Sequence, residues 1–122
     1  MTRLARSVPV VLLGTAALTV LLHWGVGWFV TPLAGVGAGV WSTRWHWFVG
    51  AAGVGLGWTG SVLYTAAVAP GAFRVLLDTL GTLAGTIPGD AFVALPVLLG
   101  SLLGGLGGGI GRCLHLLSTA SR

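Results

Sequence analysis

Few side chains in this sequence could do chemistry, and they stand far apart. The candidates are two carboxylates, three imidazoles and one thiol: Asp78, Asp90, His23, His46, His115 and Cys113. General acid–base catalysis needs two groups positioned around one substrate. Asp78 and Asp90 are separated by twelve positions, with no His nearby, the pattern of solvated loop carboxylates. A metal centre would need His46 and His115 to converge with Cys113, since each His borders a different apolar segment. Cys113 follows Arg112, where a thiol can have a lowered pKa or be acylated, but it reads first as an inert small residue at a helix end, and a lone Cys excludes an internal disulfide. Trp58, in the middle of an apolar segment, reads as a packing or lipid-facing residue. These spacings point to no catalytic residue, no cofactor and no metal, and therefore to a protein that is not an enzyme.

The composition says what must position these residues. Of 122 residues 55% are hydrophobic and 7% charged, against roughly 25% charged in ordinary soluble domains. A mean hydropathy of +0.97 fits a chain embedded in lipid. The formal net charge is +4, but nucleic-acid binding needs a clustered basic face. Here the Arg side chains are scattered at the ends of apolar segments, so they read as topology signals and no nucleic-acid partner is expected. Lys, Glu, Asn and Gln are absent. The bias toward Gly, Ala, Arg, Leu and Val suits a GC-rich prokaryotic genome.

A bilayer span takes roughly 20 residues, so the length allows three or four spans in one membrane domain, residues 1–122. The first is expected over 4–23, as an uncleaved span rather than a signal peptide, because no A-x-A site follows it. Apolar character continues to Trp41, too far for one helix, and the His23–Trp28 stretch offers Gly and interfacial Trp for a turn. The second span is then 27–41, the third 45–68 and the fourth 91–111, with Pro96 expected to bend the last. Between the third and fourth, residues 72–87 carry Phe73, Leu76, Leu77, Leu80, Leu83 and Ile87 at helical spacing. Arg74 and Asp78 lie opposite as an i,i+4 pair, the mark of an amphipathic helix lying in the interface. Trp24, Trp28, Trp41, Trp45 and Trp47 are the expected interface anchors. With the N-terminus inside, Arg3, Arg6, Arg44, Arg112 and Arg122 all become cytoplasmic and only Arg74 lies outside, which satisfies the positive-inside rule. Merging the first two spans would scatter these arginines across both sides. The expected location is the inner (plasma) membrane, multi-pass, with both termini cytoplasmic.

Glycine supplies the strongest internal pattern. Gly100, Gly104 and Gly108 recur every four residues, and Gly105 with Gly109 repeats the spacing one position over. Gly50, Gly53, Gly57 and Gly60 alternate spacings of three and four, and Gly35 with Gly39 forms a further pair. Small residues at one-turn intervals let helices in lipid approach backbone to backbone. The expected fold is therefore an all-α integral membrane protein with four transmembrane helices, packed through these glycines. The Gly53/Gly57/Gly60 face is expected against the Gly100/Gly104/Gly108 face, or against a second copy of either.

Resemblances to known families are partial. The size and four-span plan are similar to small multidrug transporters, whose function requires a Glu in the first span; none stands between Leu4 and His23. Gly107-Gly108-Gly109-Ile110-Gly111-Arg112 resembles the Gly-Gly-x-x-Gly-x-x-x-Arg stretch of fluoride channels over six residues, without the mid-membrane Asn that family needs. A rotor-ring subunit would need a carboxylate at mid-membrane, and the expected spans contain none. The whole pattern also looks like small prokaryotic membrane proteins to which no activity attaches. Thr15, Thr19, Thr31, Thr59, Ser61, Thr65, Ser101 and Tyr64 are the uncharged polar groups at depth, a thin lining for a selective aqueous path. The leading expectation is a structural or accessory subunit that contacts the lipid bilayer and associates with itself or a larger membrane protein. The alternative is a small oligomeric pore, permeation or holin-like protein.

Overall fold

A computed structural model describes residues 7–42, 45–85 and 87–121. The described residues are helical and form no strand. The helices are α1 (Val8–Gly25), α2 (Pro32–Trp41), α3 (His46–Val68), α4 (Pro70–Leu83) and α5 (Ala94–Ala120). Short 3-10 turns at Trp28–Val30 and Gly89–Val93 lead into α2 and α5. By length and composition, α1 and the continuous Gly89–Ala120 rod could each cross a membrane. A third crossing is available if α3 and α4, bent by 114° at their junction, count as one. Two to three apolar helices of crossing length are therefore present.

Several boundaries differ from the sequence expectation for local reasons. The second segment does not run as one helix from residue 27. Gly27 takes a φ of 134°, and Pro32 starts α2 where its missing N–H costs no intrahelical bond. The resulting α2 has 10 residues, about 15 Å of rise. Trp45, with a left-handed φ of 62°, precedes α3. α4 starts at Pro70 rather than residue 72 and stops at Leu83, where Ala84 and Gly85 (φ 80°) turn the chain. Pro96 does not kink a mature helix: it is the third residue of α5, where the 3-10 turn passes into α-helix.

Close contacts fix the direction of each helix. Thr15 and Thr19 of α1 meet Gly53 and Gly57 of α3, so these two run parallel. Gly35 and Gly39 of α2 meet Gly104 and Gly108 of α5, again in parallel register. Gly50 meets Gly104 while His46 meets Gly108, so α3 and α5 are antiparallel. The sum is an up-down-up-down arrangement of α1, α2, α3 and α5, with α4 as the crossover at one end. The fully buried residues between these helices are small or β-branched: Ala34, Ala38, Val49, Val54, Thr19 and Thr31. Bulky residues face outward, as Leu102, Leu106 and Ile110 do on α5.

Candidate functional site

The chemistry-bearing residues are not gathered. Asp78 and Asp90 are exposed, on α4 and on the 3-10 turn before α5. Arg74 is exposed too, and among the described residues no ion pair joins it to Asp78. His46 and Cys113 line one groove, and His115 is not on its wall. Among the described residues there is no group of three or more His, Cys, Asp or Glu that could hold a metal ion. Cys113 is exposed. His23 makes an edge-on contact with Trp58 at 5.5 Å between ring centroids. The Nδ1 atoms of His23 and His46 and the Trp58 Nε1 are buried without a hydrogen-bond partner.

What the structure does gather is glycine. Gly104 sits where three helices meet. A Cβ at Gly35 of α2 would lie 2.6 Å from the Gly104 carbonyl oxygen, and one at Gly50 of α3 would collide with the same atom. A Cβ at Gly104 itself would strike the Gly50 carbonyl and lie 2.6 Å from the Val54 Cβ. One turn on, Gly39 faces the Gly108 carbonyl and Gly108 faces the His46 carbonyl. Gly100 rests on the Trp58 indole, 2.8 Å from a Cβ to its Cγ.

The remaining glycines depart from the expected pairing. Gly53 and Gly57 face α1, not α5: a Cβ on either would lie 2.7 Å from the Cβ of Thr15 or Thr19. Those threonines present their methyl groups to α3 because each hydroxyl donates back along its own helix, Thr15 to Val11 O at 2.7 Å and Thr19 to Thr15 O at 2.8 Å. Gly60 has no heavy atom within 4 Å of an added Cβ; it is exposed and lines a groove with Val20, Trp24 and Tyr64. Gly107 and Gly111, absent from the expected set, approach Pro32 O and Val36 O of α2. Their four-residue spacing was the available signal, hidden among adjacent glycines.

The five tryptophans named as anchors are all more than half exposed. Trp24 meets Tyr64 edge-on at 4.7 Å, joining the last turns of α1 and α3, and Trp45 meets Phe48 at 6.4 Å. Trp24 and Trp28 lie at one end of the bundle; Trp41, Trp45 and Trp47 lie at the other. Arg112, half-buried on α5, shares that second end. Arg3, Arg6, Arg44 and Arg122 lie outside the described residues.

No protein-family model, curated protein or solved structure matches this chain.

Proposed function

We propose that the chain is a four-span protein of the inner (plasma) membrane, with both termini cytoplasmic, serving as a non-enzymatic structural or accessory subunit. In this reading α1, α2, α3 and α5 are the spans, glycine contacts hold them together, and α4 lies in the outer interface. One observation carries it. Side-chain size is distributed inside-out: Gly, Ala, Thr, Val49 and Val54 fill the contacts, while Leu, Phe, Trp and other Val cover the outside. In water an apolar exterior of that extent is an interaction or aggregation surface. In lipid it is the ordinary outer face, and small residues belong between helices. With its 3-10 lead-in, α2 is about 20 Å long, and interfacial Trp28 and Trp41 bracket it. A short span of this kind is accommodated by local bilayer thinning.

The hydroxyls favour a subunit over a pore. Thr59, Ser61 and Thr65 donate to the carbonyls of Gly55, Gly57 and Ser61 on their own helix, as Thr15 and Thr19 do on α1. They satisfy the backbone instead of lining a path for water. The test is dye and potassium efflux from vesicles reconstituted with the purified chain. Efflux equal to that from protein-free vesicles is expected. Efflux that rises with protein and is lost in Gly104→Leu would replace this reading with an oligomeric pore.

A further inference from the structure

We propose that the groove between the first turn of α3 and the last turns of α5 binds an anionic phospholipid, phosphate at Arg112 and His46, acyl chain along Leu106 and Ile110. This rests on the membrane placement above and adds a ligand to it. The groove measures about 640 Å³, within the roughly 300–1,000 Å³ typical of small-molecule sites. Its walls are apolar, and part of its floor is glycine: Gly109 lies so close under Trp47 that a Cβ there would be 2.7 Å from the indole Cζ2. A flat floor between an indole and a leucine-rich helix suits a hydrocarbon chain.

Charge decides which lipid. Arg112 lines the groove half-buried and makes no ion pair or side-chain hydrogen bond among the described residues. Both acids of the chain, Asp78 and Asp90, belong to the crossover region at the opposite end. Among the described residues no carboxylate lies near this guanidinium, so an anion from outside the chain can pair with it. The second polar group is the His46 imidazole, on the wall of the same groove; its Nδ1 is closed off and has no partner. That leaves Nε2 as the ring nitrogen able to donate to a phosphate or glycerol oxygen. Trp41, Trp45 and Trp47 cluster at the same end, which sets the depth at the headgroup layer, where basic pockets between helices hold anionic headgroups.

The test is native mass spectrometry of the chain in mild detergent, titrated with dioleoyl phosphatidylglycerol, dioleoyl phosphatidylcholine or inorganic phosphate. Wild type should retain phosphatidylglycerol in preference to phosphatidylcholine, and inorganic phosphate should not compete. Removing one basic contact to an anionic lipid costs about fivefold in affinity. Arg112→Gln should therefore bring phosphatidylglycerol down to the phosphatidylcholine level, and Arg112→Lys should keep most of the preference. Arg74→Gln, outside the groove, should behave as wild type. Ile110→Trp, which fills the groove from an exposed position, should lower binding of both lipids. Equal binding of the two lipids by wild type, or an unchanged preference in Arg112→Gln, overturns the site while leaving the membrane reading intact. Effective competition by inorganic phosphate reassigns it to a free anion and overturns the lipid. A chain that stays monodisperse without detergent overturns both readings.

Discussion

A methyl group at Gly104 would enter space already held by the Gly50 carbonyl and the Val54 side chain, whereas one at Gly60 would enter open space. The two glycines carry the same residue type and opposite expectations. Gly104→Ala should destabilise by about 1–3 kcal/mol, the range for overpacking a tight contact, and Gly104→Leu should abolish the folded monodisperse peak. Gly60→Ala should be neutral or stabilising by up to about 1 kcal/mol, the helix-propensity difference measured in water. Leu102→Ala, at a residue 65% exposed, should unfold as wild type does. Thermal unfolding in mild detergent, followed by size exclusion, ranks all four. An order with Gly60→Ala or Leu102→Ala more damaging than Gly104→Ala would refute the three-helix contact at Gly104. His23, Trp58 and Thr19 teach a related lesson. Their types were visible in the sequence, but the edge-on ring contact and the methyl pressed on Gly57 depend on neighbours far along the chain.

Between elements, the relation most open to direct measurement is the antiparallel register of α3 and α5. A Cβ on Gly105 would lie 3.5 Å from the Ala51 Cβ, at the short edge of the roughly 3.5–4.5 Å range for disulfides. In a Cys113→Ser background, the pair Ala51→Cys with Gly105→Cys should oxidise readily and lose both thiols to maleimide labelling. Ala51→Cys with Gly37→Cys, which has nothing within 4 Å, should keep both. Cross-linking of the second pair and not the first would refute the register. How much of this level the sequence disclosed varies with the kind of information. The ends of α1 and α3 fall within a few residues of expectation, because Trp24, Trp45 and Pro70 punctuate apolar runs there. The interruption at Gly27–Thr31 and the early stop of α4 were hidden, since they depend on backbone torsions that Gly permits without requiring. Leu77, one of the apolar residues at helical spacing in α4, is buried beside Gly89, a contact the spacing alone does not disclose. Spacing identifies the residues that share a helix face. It does not say which neighbour that face meets, and so Gly53 and Gly57 turn to α1 where α5 had been expected.

At the scale of the whole chain, parallel α1 and α3 with antiparallel α5 bring Val8 and Ala120 to one end of the bundle, while α4 and Gly85 occupy the other. In a bacterial host, a phosphatase active only in the periplasm should be silent when fused after Arg122 and active when fused at Gly85. A strong signal after Arg122 would overturn the four-span topology. The groove at Arg112 was not legible in the sequence, because it needs two helices distant in sequence to form its walls. The junction at Gly104 has a final consequence, which concerns entropy. Ordering a long side chain at an interface costs up to about 2 kcal/mol of rotamer freedom, and ordering Gly or Ala costs none. Glycine's own penalty is a backbone one, and in a bilayer the backbone is already helical before helices meet. In the membrane setting proposed above, the seam among α2, α3 and α5 closes with almost no disorder left to lose. The rotamer freedom of this molecule resides on its outside, among its exposed leucines.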